Sequence, residues 1–400
     1  MPDDTRNTPL QLGFLGGSLD SAVGYAHATA STMDRCWQLA AGCFSRKPDV
    51  NAETGATYGV APERVYASLQ EMLAHEAHRL DAVAVLTPTP AHAADVLACL
   101  RAGVPVICEK ALAANGSEVE SIIKVRNEYQ GFLAVTYNYS GYPMLRELAQ
   151  RIARGGLGRI LHFSAEMPQE GFVRIDAHGN KPTPQSWRLA DRAVPTLHLD
   201  LAVHLHHILH FLLREKPLEV VSDQNHYGWF EGVVDNASCL CRYSGGIQGT
   251  LWFSKSALGH RNGLRIRIYG DQASAEWYQA NPEELVLSHV DGRREVLDRA
   301  GAVEVSQQRR YNRFKSGHPA GFIEAFANLY HDIAQALREY RRNGAWTTGQ
   351  VFSAELALEG ISFLEAMVAS SQSRAWQPLQ GTPGAAAVPL HARRRRAGRP

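Results

Sequence analysis

Residues 198–210, HLDLAVHLHHILH, carry five histidines and one aspartate. Imidazole titrates near neutral pH and is also the commonest metal ligand, so proton transfer and metal binding are both open on composition. Read as a helix, the segment puts Asp200, His204 and His207 on one face by three- and four-residue spacing. His206 and His210 share another face, and His198 lies at the start. A zinc site wants three or four converging ligands, and no HExxH pattern is present, so no metal is expected. His206, His207 and His210 are expected to pack in a core or an interface with satisfied nitrogens. A second chemically suggestive residue is Lys110, a cation at the end of the apolar run VPVICEK.

Elements that would position such groups are visible around them. LQLGFLGG, LAAGCFSR, DAVAVLTPTP and VPVICEK read as short buried strands. They alternate with helical stretches in SAVGYAHATASTMDRCWQLA, VYASLQEMLAHE and HAADVLACLRAG. That alternation implies βαβ units and a parallel sheet covered on both faces. The first strand-to-helix turn holds Gly16, Gly17, Ser18 and Gly24. Such a turn lets backbone N–H groups and a helix N-terminus approach a pyrophosphate. Its spacing is longer than GxGxxG, so a glycine turn without a ligand fits equally. The second strand ends in Ser45, Arg46 and Lys47 where an acid would take a ribose hydroxyl. A hydroxyl and two cations suit a 2′-phosphate and lean towards NADP over NAD; a solvated basic turn is the other reading.

The chain has 400 residues and a net charge of +1, which suggests two domains and gives no electrostatic case for nucleic acid. MPDDTRNTP lacks the form of a secretory signal, and no apolar run is long enough for a membrane span. The six cysteines show no zinc spacing and read as reduced thiols of a cytoplasmic protein. GTPGAAAVP and the arginine-rich ARRRRAGRP are expected to be a disordered tail.

Several pieces then line up in order: LTPTPAHAADVL closing the fourth strand, VPVICEKALA, VTYNYSGYP, WRLAD and LDLAVHLHHI. The set resembles the Gfo/Idh/MocA oxidoreductases, over roughly residues 10–370. Its most specific part is Glu109-Lys110 followed by D-x-x-x-H at Asp200 and His204. The resemblance implies that Lys110, Asp200 and His204 are catalytic. It implies that Thr87, Pro88, His92, Glu109, Lys110 and Asn138 line the cofactor cleft, together with the glycine turn. It places Tyr139, Trp187 and Arg188 at the substrate. Two positions depart from the family pattern: Ala111 replaces the proline of EKP, and Ala202 stands where a glycine is usual.

The fold this implies is an α/β Rossmann nucleotide-binding domain plus an α+β domain with a mainly antiparallel, open-faced sheet. The expected limits are a disordered 1–9, domains at 10–137 and 138–372, and a disordered 373–400. In the family the open sheet face commonly forms a subunit interface, which implies a homo-oligomer. The implied activity is hydride transfer between NAD(P) and a secondary hydroxyl of a sugar, cyclitol or sugar derivative. In that chemistry His204 would have a pKa near the working pH and manage the proton. Lys110 would stabilise the alkoxide. Asp200 would orient His204 or bind a neighbouring hydroxyl. Other readings are a non-catalytic dinucleotide sensor, an enzyme with tightly bound NAD that oxidises its substrate transiently, and a metal-dependent hydrolase or lyase. The arginine-rich segments 260–267 and 309–319 are candidates to reach the site and hold a phosphate or carboxylate, and His318 is a candidate to lie near it.

Overall fold

A computed structural model describes residues 8–379. The first sheet is built from β1 (Leu10–Gly16), β2 (Trp37–Cys43), β3 (Ala82–Leu86), β4 (Val106–Glu109) and β5 (Leu133–Thr136). They lie in the order β2-β1-β3-β4-β5, all parallel. The LTPTP segment therefore closes the third strand, not the fourth. Helices α1 (Gly24–Met33), α2 (Pro48–Thr57), α3 (Leu69–Glu76), α4 (Thr89–Arg101) and α5 (Gly116–Glu128) connect the strands. Two starts are set by side-chain caps. Ser68 accepts from the Glu71 amide at 3.1 Å, and Asn115 from the Glu118 amide at 3.0 Å. Such caps satisfy amides that the first turn leaves free. The strand order reverses between β1 and β3, and open α/β sheets bind ligands outside the strand ends at that point.

After α6 (Pro143–Ala153) comes β6 (Ile160–Pro168), the first strand of the second sheet. Next is α7 (Val203–Leu213), entered through a π-helical turn, His198–Ala202. The remaining strands are β7 (Pro217–Asn225), β8 (Asn236–Tyr243), β9 (Gln248–Ser254), β10 (Arg265–Gly270), β11 (Ala273–Tyr278), β12 (Leu285–His289) and β13 (Arg294–Leu297). Helices α8 (Phe322–Asn343) and α9 (Ala354–Ser373) and the short strand β14 (Gln377–Pro378) follow. The sheet runs β13-β12-β11-β10-β6-β9-β8-β7-β14. Its pairs are antiparallel except β6 with β9. On β8, Cys239 and Cys241 point into the core while Leu240 between them is exposed, the period-two alternation of a one-faced sheet.

Two corrections to the expected limits follow. Helix α8 packs on the first sheet: Phe326, Leu329, Ile333 and Leu337 bury Leu12, Phe14, Ala84 and Ile107. The nucleotide half thus borrows an element from beyond residue 138. Residues 374–379 are also structured, because β14 pairs with Val220 and Glu219 of β7 and Leu379 is buried. The rest of the expected tail, 380–400, and residues 1–7 lie outside the described residues.

Candidate active site

The glycine turn has the shape a phosphate cradle needs. Gly16 and Gly17 have φ of 78° and 72°, in the left-handed region that favours glycine. A Cβ on Gly24 would sit 2.2 Å from the Gly17 carbonyl oxygen, so only glycine lets α1 start this close to the turn. Ser18 sits partly buried at the start of the loop into α1. Arg46 is exposed beyond β2, and the Ser45 hydroxyl accepts from the Lys47 amide at 3.1 Å. Asn138, just after β5, is buried with an unpartnered Nδ2. A bare cradle and a buried donor without an acceptor fit a dinucleotide at this edge.

Lys110 and the D-x-x-x-H segment meet. Lys110 Nζ donates to the carbonyl and to Oδ1 of Asp200, both at 2.9 Å. The Lys110–Ala111 peptide is cis, at the position where the family pattern has proline. The π turn aims Asp200 into the cleft while His198 packs edge-on against Phe253 of the second sheet. Arg188 Nη1 reaches Asp200 Oδ2 at 2.7 Å, and its guanidinium lies over the Trp187 ring at 4.4 Å. Although burial favours the neutral acid, Lys110, Lys255 and Arg188 hold the Asp200 carboxyl well below the usual range.

His204 is buried, its ring edge-on to Tyr139 with centroids 4.7 Å apart. Burial first, then the charge of Lys110, pushes its pKa well below the ordinary value instead of leaving it near neutrality. It is a neutral imidazole. Its Nδ1 is sealed without a partner, whereas Nε2 is not among the buried unpartnered atoms. Asp200 makes no hydrogen bond to it, so the expected orienting role falls away: this carboxylate is engaged by cations. The Tyr139 hydroxyl accepts from Asn262 Nδ2 at 3.1 Å.

Three expected cleft residues point elsewhere. Glu109 is buried, with His27 Nε2 3.1 Å from Oε1 and the Thr136 hydroxyl donating to the same oxygen. His92 is buried between the carbonyls of Thr87, 2.6 Å, and Ala111, 2.7 Å, which supports the turn after Lys110 from behind. The Thr87 hydroxyl donates to Asp95 at 2.7 Å, so its backbone, beside Gly16, is what borders the cleft; Pro88 is exposed at the start of α4.

The other histidines divide as their spacing implies, except His207. His206 and His210 both face Glu359, at 3.1 and 3.5 Å. His207 stacks on Tyr137 at 4.2 Å, away from Asp200, and neither of its nitrogens has a partner. The arginine-rich segments do not reach Asp200: Arg265 and Arg267 pair with Glu276, Arg261 with Glu170, Arg310 with Asp332 and Arg313 with Asp34. His318 is exposed. Lys255 went unnoticed in the sequence. It follows β9, is 4% exposed, and places Nζ 2.7 Å from Asp200 Oδ2. A lysine closing an apolar strand, as Lys110 does, was the available signal.

Comparison with known proteins supplies the family. Residues 13–137 match an oxidoreductase family with an NAD-binding Rossmann fold, and residues 145–276 match the GFO/IDH/MocA C-terminal domain. The chain is 32% identical over 383 residues to the uncharacterized oxidoreductase YfiI of Bacillus subtilis, across 92% of this chain and 96% of that one. The chain belongs to the Gfo/Idh/MocA family. A second relative, the levoglucosan dehydrogenase of Pseudarthrobacter phenanthrenivorans, is 24% identical over 310 residues, 70% of this chain and 76% of that one. An inositol dehydrogenase homologue from Azotobacter vinelandii, solved with NADH and myo-inositol, matches with a TM-score of 0.83 and 27% identity. That match covers 93% of this chain and 98% of that one. As a Gfo/Idh/MocA protein the chain is an oxidoreductase whose N-terminal part, residues 13–137, is an NAD(P)-binding Rossmann domain. Among the described residues no helix is long and apolar enough to cross a membrane.

Proposed function

We propose that the chain oxidises a secondary hydroxyl of a sugar, cyclitol or sugar derivative, or reduces the matching ketone. The observation that carries this is the meeting of Lys110 with Asp200, four residues before a neutral His204, at the sheet edge that also holds the glycine cradle. Gly16, Gly17, Ser18, Gly24 and Asn138 would hold the dinucleotide, which when bound supplies the hydride acceptor or donor. Lys110 donates a hydrogen bond to the reacting oxygen and stabilises charge developing there. Asp200 holds the ammonium groups of Lys110 and Lys255 at the site by ion pairing. His204, neutral at the working pH, accepts the hydroxyl proton in oxidation and returns it in reduction. Tyr139 and Trp187 bound the substrate, and Arg188 anchors its polar side.

NADP is favoured over NAD because Arg46 and Lys47 are exposed at the end of β2. Arg46→Ala should weaken NADP about tenfold and NAD little, since one phosphate contact is lost; equal loss of both removes Arg46 from that role. The outer face of the second sheet, where Leu240 is 51% exposed, is the surface for assembly into a homo-oligomer. Melting of the purified protein with each dinucleotide tests the central reading. A native-state ligand raises the melting temperature by mass action. A shift with one dinucleotide, followed by sugar-dependent change in nicotinamide absorbance, is expected. No shift with any of them sinks the reading.

A further inference from the structure

Asp200 is a single carboxylate shared by three cations. Arg188 Nη1 and Lys255 Nζ both approach Oδ2 at 2.7 Å, and Lys110 Nζ takes Oδ1 at 2.9 Å. The nearby Glu109, held by His27 and Thr136 beneath the cleft, offsets one of these charges through its interaction with Lys110, so three cations still face only two carboxylates. Positive charge is left over at the place where substrate must sit.

Lys255 makes the surplus hard to explain structurally. An ammonium has three donors. Among the described residues this one has a single ionic partner, with the Phe172 ring 4.9 Å away, yet its side chain is only 6% exposed. Burying an ammonium costs free energy unless it is fully paired, and here the partner oxygen is shared with an arginine. Burial first, then repulsion from Arg188 and Lys110, disfavours its charged form, while Asp200 supports it. Arg188 is similarly underused. Only Nη1 of its fork is engaged, and stacking on Trp187 fixes the plane of the rest. A fixed guanidinium with open donors is suited to a carboxylate.

We propose that the surplus selects an anionic substrate, a polyhydroxy acid whose carboxylate docks on Lys255 and Arg188 while its reacting hydroxyl meets Lys110 and His204. The second contact rests on the dehydrogenase reading; the first does not. Lys255 and Arg188 thereby become specificity-determining residues. No covalent step beyond hydride and proton transfer is added.

The test is binding to the full-length protein saturated with NADH, by calorimetry at low ionic strength. Matched pairs are used: gluconate against glucitol, and glucuronate against glucose. The wild type should bind at least one acid about tenfold or more tighter than its neutral partner, as expected for a charge-assisted contact in a partly buried site. Lys255→Met should bring the two within about twofold, and Arg188→Gln should act in the same direction. A cooperative thermal melt of each variant without dinucleotide reports whether it is folded. Equal binding of acids and neutral polyols by the wild type overturns the proposal and leaves the cations to the alkoxide alone. Loss of NADH affinity in the folded Lys255→Met protein, equal to the loss for acids, also overturns it and assigns the cations to the dinucleotide phosphates. The dehydrogenase reading is separated by absorbance. Acid selectivity without any nicotinamide oxidation or reduction sinks that reading and keeps the anion site. Turnover of neutral polyols without acid selectivity does the reverse.

Discussion

Two aspartates in this protein are ringed by cations, and the rings differ in how completely they are used. Asp332, on α8, takes Arg146 Nη2 on one oxygen and Arg310 Nη2 on the other, both at 2.7 Å. Arg146 engages its whole fork: Nε donates to the Ser140 carbonyl at 2.8 Å and Nη1 to the Tyr311 hydroxyl at 2.7 Å. The second cation, Arg310, keeps part of its side chain in water. At Asp200 the ammonium of Lys255 is more buried than Arg310 and has one partner instead of several. Arg310 leaves its Nε without a partner, but the saturated fork of Arg146 marks a cluster that ties elements together. Unsaturated donors at a sheet edge mark one that waits for a ligand.

Lys110→Ala separates the two most sharply. The cluster at Asp200 keeps Lys255 and Arg188, so the fold should survive with its melting temperature little changed. The oxidation rate should fall about a thousandfold, the scale of losing both alkoxide stabilisation and part of the proton-transfer geometry. Single-turnover kinetics with saturating dinucleotide would read it. A loss confined to KM would make Lys110 a binding group only.

Arg146→Met should do the opposite. It leaves Asp332 buried with one partner and strips Ser140 and Tyr311 of theirs. Breaking a buried ion pair from one side costs about 3 kcal/mol or more. Urea titration should show that loss, while kcat measured below the melting range stays within about twofold of wild type, as for a change remote from the chemistry. If turnover collapses at temperatures where the variant is folded, the α8 cluster is coupled to the site and the distinction fails.

Sequence reached the strand edges better than it reached side-chain directions. Buried strands and glycine turns are local signals, so β1 to β4 and the cradle could be read directly. The meeting of Glu109-Lys110 with Asp200 and His204 came from family resemblance, because ninety intervening residues hide that contact from any local pattern. Glu109 ends β4 and turns inward to His27 and Thr136, whereas Lys110, one residue beyond the strand, reaches Asp200; no local pattern separates the two directions. His92 shares the buried side of α4 with Val96, Cys99 and Leu100, a spacing that was present but not used. The π turn at His198–Ala202 shifts the helical phase, and so His207 leaves the face predicted for it. Helix α2, PDVNAETGAT, has too few apolar residues to show a helical stripe and was missed.

The smallest effect belongs to the histidines that do not face the site. Although burial opposes ionisation, the hydrogen bond from His206 and the nearby imidazole of His210 hold the Glu359 carboxyl down at about 2. His206 is itself held below its ordinary value by burial, so it serves as a neutral donor. A carboxylate pKa lowered on folding contributes stability above its unfolded value, near 4.3, and that contribution is lost as pH falls towards the folded value. Glu359→Gln should therefore cost about 1 kcal/mol at pH 7, the net worth of hydrogen bonds to a partly solvated carboxylate. The difference from wild type should shrink between about pH 4 and pH 2, because there the wild-type carboxylate is protonated too. Paired urea titrations across that range would measure it. The pH dependence of kcat should be the same in both proteins, because the proton in the reaction is carried on the other face of the segment, by His204. A displaced kinetic profile in Glu359→Gln would mean that the two faces share a proton network, and His206 would then have to be counted with the site.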